Sequence, residues 1–478
     1  MTTTTTSGRP APDSENLGHS LKVRHLTMMG LGSAIGAGLF LGTGAGISTA
    51  GPAILISYCI AGIIVVFVMR MLGEMGAAIP ASGSFSHYAR IGIGPWAGFV
   101  MGWLYWSLLI MVIGAEITGA SAIMHTWWPD IPQWVIAAII VTFFAAVNLS
   151  RVANFGEFEF WFALIKVAVI VGFLIVGVLL IFGIFPNTSP VGFTNLVDHG
   201  GFLPNGIEGI AAGLLIVAFA FGGIEIVTIA AAESKDPERS IGFAVRSVIW
   251  RISLFYIGSV AIMVFLLPWN SENLAQSPFV SVLNLAGIPY VAGFMEFVVV
   301  AALLSAYNAQ MYATSRMAYS LASRGDGPRI LTRLSRNEVP IFGVLLSVFF
   351  SFVSVILIWL LPDSLLGILL NAVGASLLVI WIFIAVAQLR LRRQLERQGP
   401  LAVKMWLFPY LTWATLAMLG GLIVLMMTDT AAREQLITTG VFCLLLTVAA
   451  VLTHRHNARQ PPHDHLLSDH GFTESLRH

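Results

Sequence analysis

Apolar runs long enough to cross a bilayer, about 17–25 residues each, recur twelve times along the chain. They fall near 26–50, 52–79, 95–125, 132–151, 157–184, 207–233, 241–267, 288–322, 340–361, 365–389, 402–428 and 433–453. The polar connections between them are of two kinds. Loops 126–131, 185–206, 268–287, 362–364 and 429–432 hold no Lys or Arg, whereas Arg316, Arg324, Arg329, Arg333, Arg336 and Arg390, Arg392, Arg393, Arg397 crowd alternate connections. Basic loops stay on the cytoplasmic side, so both chain ends are expected there. Of 25 basic residues, Arg433 falls on the outer side and Lys166 lies deep within a span, which leaves 23 for the inner side or inner helix ends. Residues 1–20 and 454–478 are polar and read as cytoplasmic tails, the first of them disordered.

Two spans carry an interruption. Residues 27–46 contain seven glycines (Gly30, Gly32, Gly36, Gly38, Gly42, Gly44 and Gly46) inside the first apolar run. Each costs about 1 kcal/mol against alanine in a helix interior, so this helix is expected to come apart in the middle. Unwound backbone at membrane depth is tolerated only where it lines a cavity or is buried in protein. Its freed N–H groups, beside a half-helix N-terminus, suit an anion such as a carboxylate. A close-packed seam of small residues is the competing explanation. Gly30-x-Gly32-x-x-x-Gly36 misses the dinucleotide spacing and has no βαβ unit around it.

The second interruption is Phe219-Ala220-Phe221-Gly222-Gly223-Ile224-Glu225 in span six. Span one enters from the inside and span six from the outside. Two broken helices five spans apart in opposite orientation point to an inverted-repeat transporter. The expected fold is therefore all-α and integral to the membrane, with twelve transmembrane helices in a 5+5 inverted repeat. Residues 21–184 (spans one to five) and 207–389 (spans six to ten) form the repeats, an extracellular loop 185–206 joins them, and 390–453 adds spans eleven and twelve.

Composition narrows the function classes. The chain of 478 residues is 57% hydrophobic and 10% charged, against about 25% charged in soluble domains. The lipid bilayer is its surroundings, and the net charge of +1 argues against a nucleic-acid partner. Cys59 and Cys443, both in apolar runs, provide neither a disulfide framework nor a metal cluster. No nucleophile–base pair, metal set or phosphate loop supports an enzyme, and no cofactor is expected. Ionisable groups within spans cost about 2.5–3.5 kcal/mol or more, which singles out Glu116, Lys166 and Glu225. Counted at about 1.5 Å per residue, Gly36, Lys166 and Glu225 all lie near the midplane.

The residues leave two roles open for each. Burial can lower a lysine's pKa by several units, so Lys166 can exchange a proton near neutral pH, or it can simply pair with a carboxylate or unwound carbonyls. Glu225 can hydrogen-bond freed backbone or relay protons. Glu116 is either a gating and pocket residue or an internally paired structural acid. Glu74, Glu157, Glu159, Glu233 and Glu296 read as structural. Phe219 and Phe221 flank the second break, either as a gate over a cavity or as packing.

At this point the chain resembles the bacterial amino-acid transporter branch of the amino acid–polyamine–organocation superfamily. The matching segments are Gly32-Ser-Ala-Ile-Gly-Ala-Gly-Leu-Phe40, Pro80-Ala-Ser-Gly-Ser-Phe-Ser86, Gly102-Trp-Leu-Tyr-Trp106, Gly156-Glu-Phe-Glu-Phe-Trp161 and Phe219 to Pro237. The resemblance implies proton-coupled import of an amino acid by alternating access through the cytoplasmic membrane. It implies a substrate carboxylate on the backbone amides of Ser33, Ala34, Ile35, Gly36, Ala37 and Gly38. The α-amino group would sit on carbonyls that include Ile35, Phe219 and Ala220, with Phe219 closing over the substrate. Phe221, Gly222, Gly223 and Ile224 complete the expected site. Lys166 matches the span-five lysine that, in proton-coupled relatives, stands where sodium-coupled relatives bind an ion. The run Glu225 to Ser234 is similar to both GABA and aromatic permeases. Gly114-Ala-Glu-Ile-Thr-Gly119 and Leu304 to Arg316 look closest to the aromatic branch, so Phe, Tyr and Trp are the expected substrates, with a GABA or broader neutral amino-acid permease, or an amino-acid exchanger of the same fold, as the alternatives.

Overall fold

Backbone that leaves water for hydrocarbon must satisfy its own N–H and C=O groups, and a helix does so within one segment. The computed structural model describes residues 35–80, 84–149, 153–185, 188–225, 237–271, 274, 277–335 and 339–457, and it is built of helices with no strand among them. In order they are α1 (Thr43–Ala50, preceded by a wide π turn over Gly38–Gly42), α2 (Ile54–Ala78), α3 (Ser84–Gly92), α4 (Pro95–Trp127), α5 (Gln133–Leu149) and α6 (Ala153–Ile181). Then follow α7 (Thr194–Val197), α8 (Gly206–Ala220), α9 (Pro237–Trp250), a second π stretch over Arg251–Gly258, α10 (Ser259–Leu266) and α11 (Pro278–Leu285). The chain ends with α12 (Val291–Ser323), α13 (Ile341–Leu360), α14 (Leu365–Gln398), α15 (Tyr410–Met426) and α16 (Thr430–Asn457).

Among the described residues, eight helical stretches are long and apolar enough to cross a membrane. The first, Gly38–Ala78, is 41 residues long and is interrupted by a 3-10 turn at Gly51–Ala53. Three shorter apolar helices are α5, α8 and α15. Their ranges follow the apolar runs, with informative exceptions. The run 402–428 becomes helical only at Tyr410, behind Pro409 at its N-cap, because proline brings no N–H to a helix interior. The run 365–389 continues as helix to Gln398. Three short helices, α3, α7 and α11, lie between runs or at the edge of one.

Packing follows a simple rule. Helix α1 lies against α8, α2 against α9, α4 along most of α12, and α5 against α13. Each of the first four apolar runs thus meets the run five places later. Helix α14 adds contacts to both α4 and α8, so α4 is held between α12 and α14. The outer faces present large apolar side chains such as Ile139, Phe143, Ile175, Phe349 and Leu444, as lipid-facing surfaces do.

Two polar clusters tie the ends of helices. Glu74 on α2 is fully buried and accepts from Gln388 Nε2 at 2.7 Å, from the Met405 N–H at 2.6 Å and from the Arg392 guanidinium. Gln388 Oε1 in turn accepts from Thr412 Oγ1 at 3.0 Å. Glu74 therefore fastens α14, the connection that follows it and α15 to α2, which is the structural role its sequence context suggested. Glu296 is likewise partnered, accepting from Trp127 Nε1 at 3.0 Å. Elsewhere, Arg90 on α3 pairs with Asp326 at 2.9 Å, and Arg324 donates to Ser86 Oγ at 2.9 Å. His87 sits among them, and burial together with the Arg324 and Arg90 charges lowers its pKa to about 3. At nine residues, α3 is far too short to span.

Breaking the first cluster leaves an uncompensated buried charge, which costs on the order of 3–5 kcal/mol. Glu74→Ala should therefore lower the thermal midpoint in detergent sharply, and Glu74→Ala combined with Arg392→Met should recover part of it. For His87, a folded pKa below the unfolded value means that its stability contribution is complete above pH ~6.5 and lost as the pH falls towards 3. His87→Asn should flatten the fall of the thermal midpoint between pH 6.5 and 5 and change little at pH 8.

Candidate functional site

The first break is observed from its C-terminal side. Ile35 and Gly36 are buried and non-helical, and helical turns begin at Ala37. The Gly36 carbonyl accepts from Leu39 and Phe40, each at 3.1 Å. The first N–H groups of a helix have no partner within it. Here the Ala37 N–H finds one 79 positions away, donating to both carboxylate oxygens of Glu116 on α4 at 3.0 Å. Glu116 is 3% exposed.

The second break is observed from its N-terminal side. Helix α8 ends at Ala220, after which the Gly222 N–H returns to the Phe219 carbonyl at 2.8 Å. The chain turns at Gly223, with φ at 94°, and the Gly223 N–H donates to Glu225 Oε1 at 3.2 Å. The C-terminal carbonyls of α8 and the N-terminal amides before α1 thus face one region, with opposite partial charges. The two backbones touch there. A Cβ on Gly38 would stand 2.6 Å from Ala220 Cα, so glycine is what allows the approach.

A small cavity opens at this junction. Of the expected site residues, Gly36, Gly38, Glu116, Phe219, Ala220 and Gly222 line it. Ser33 and Ala34 lie outside the described residues. Lys166 on α6, 1% exposed, is close enough to Glu116 for their charges to interact. Three others of the set are elsewhere. Phe221, Ile224 and Glu225 line a second cavity, with Val65, Met69 and Trp381, and Tyr105 is the neighbouring side chain of Glu225. Phe221 packs edge-on to Tyr58 (5.8 Å) and against Tyr256 (4.9 Å).

Two lining residues were not singled out in the sequence, Val112 and Gln310. Gln310 is 2% exposed, and its Oε1 has no hydrogen-bond partner among the described residues. Its signal was available, a polar amide deep in the apolar α12, but a search restricted to ionisable groups passes over it.

The amino acid permease family matches residues 25–460. This chain belongs to that family. The permease is 55% identical to the aromatic amino acid transport protein AroP of Corynebacterium glutamicum, over 94% of its own length and 99% of that protein. It is 46% identical to the gamma-aminobutyric acid permease of Bacillus subtilis (92% and 94% covered). AroP of Escherichia coli K12 is 41% identical (86% and 90% covered).

The backbone contact at the junction makes a sharp expectation. Overpacking costs about 1–3 kcal/mol, so Gly38→Ala should reduce the initial uptake rate per unit of membrane protein by about tenfold or more. Gly421→Ala, where an added Cβ meets nothing within 4 Å, should leave it unchanged.

Proposed function

We propose that this permease is a proton-coupled symporter importing Phe, Tyr and Trp across the cytoplasmic membrane. The identity to AroP, 55% over nearly the whole of both chains, carries the substrate class. GABA is the second reading, favoured by the 46% identical permease of B. subtilis. The fold expected from sequence, twelve helices in a 5+5 inverted repeat with both termini inside, is supported by the pairing of each early run with the run five later and by the one-sided basic loops.

The site's polarity suits a zwitterion. The substrate carboxylate takes the amides from Ser33 to Gly38, its ammonium takes carbonyls of Ile35, Phe219 and Ala220, and Phe219 covers it from above. The side chain then extends past Gly222 towards Val112 and Gln310. Lys166, buried and electrostatically linked to Glu116 at the break, is the coupling residue: protonated while substrate binds from outside, it loses its proton inside and so favours release. Glu225 either shares the proton or serves the backbone through its bond to Gly223. Coupling of this kind requires only that proton and substrate bind the outward and inward states with different affinity.

Uptake of labelled Phe, Trp, GABA, Asn and Ala into proteoliposomes with an inward proton gradient tests this reading. Phe and Trp should accumulate in vesicles without internal amino acid, and GABA alone would replace the substrate while keeping the mechanism. Lys166→Ala should abolish gradient-driven accumulation yet retain substrate binding. Normal accumulation in that variant would remove the proton role from Lys166.

A further inference from the structure

The Glu116 side chain stands where the proposed substrate's own carboxylate would stand. Its two oxygens share the Ala37 N–H at 3.0 Å. It reaches that point only because residue 36 is glycine, since a Cβ there would lie 2.2 Å from Glu116 Oε1. The cavity that remains has room for little more than a water molecule, far short of the ~300–1,000 Å³ usual for ligand sites. Gln310 lines it as well, and its buried Oε1 has no hydrogen-bond partner among the described residues. The break is thus closed by a carboxylate that the chain supplies itself.

We propose that Glu116 is a tethered stand-in for the substrate carboxylate, occupying the anion site of the empty permease and displaced by the incoming amino acid. The proposal rests on the amino-acid reading above. Two carboxylates cannot share one N–H at hydrogen-bonding distance without strong like-charge repulsion, so occupancy by one expels the other. Lys166, the cation already within electrostatic reach, is the nearby group that offsets the charge of the displaced side chain.

Two ligand classes should respond in opposite directions when Glu116 is removed. A monocarboxylate without an amino group, such as indole-3-propionate, must compete with Glu116 but cannot use the carbonyls that repay a full amino acid. An amine without a carboxylate, such as tryptamine, leaves Glu116 in place, and together they present the atoms of tryptophan. The experiment is displacement of labelled tryptophan from purified protein at fixed pH without a gradient, for the wild type, Glu116→Ala and Glu116→Gln. If GABA proves to be the substrate, butyrate and propylamine take the two roles against labelled GABA.

In Glu116→Ala, indole-3-propionate should gain about tenfold in affinity and tryptamine should lose about tenfold. Glu116→Gln keeps the shape and one acceptor oxygen, so its shifts should have the same signs and smaller size, and it provides the measurement if the alanine variant does not fold. Parallel loss for both ligands would mean that Glu116 only holds the helix break, and it would overturn the proposal while leaving the amino-acid reading intact. Unchanged affinities would overturn it in the same way. A wild-type protein that binds none of the labelled amino acids would overturn the functional reading and this inference with it.

Discussion

Hydrocarbon offers no hydrogen bonds, and this constraint governs how the broken helices are built. An unsatisfied buried donor costs about 1–3 kcal/mol in a protein and several in a bilayer core. The permease meets the cost with one carboxylate at each break: Glu116 for the Ala37 N–H and Glu225 for the Gly223 N–H. Glu116 is presented by α4, a 33-residue helix clamped between α12 and α14. The most fixed element of the fold therefore supports its least regular segment. Placing acids at midplane depth is expensive in isolation, but here the acid and the unwound amide each supply what the other lacks.

That pairing also explains what could and could not be read from the chain. The apolar runs were legible because bilayer thickness fixes their length, and α4, α12 and α13 begin and end within a few residues of the expected limits. The breaks were legible because glycine inside an apolar run has few other uses. The three ionisable residues were legible because charge is rare there. Their division was not. Glu225 and Phe221 lie only a few residues beyond Phe219, yet the turn at Gly223 sends them to a separate cavity, and local spacing does not encode that rotation. Gln310 was missed because a neutral amide carries no charge signal, and the late start of α15 because the run before Pro409 is apolar whether helical or not.

Helices α14 to α16 extend the bundle beyond the pairs that meet five runs apart. The Glu74 cluster shows how part of this extension is attached. A single buried acid on α2 gathers Arg392, Gln388 and the Met405 amide, and through Gln388 it reaches Thr412 on α15. An ion pair with three further hydrogen-bonding groups offsets its desolvation far better than an isolated pair would.

The contact between Gly38 and Ala220 has a mechanical corollary. Where two helices meet through side chains, rotamer changes let one slide while the other stays. Here backbone meets backbone, with no room for even a methyl group between them. The junction therefore has no side chain whose rotamer could absorb a relative shift, and movement of one half-helix at that point would press directly on the backbone of the other.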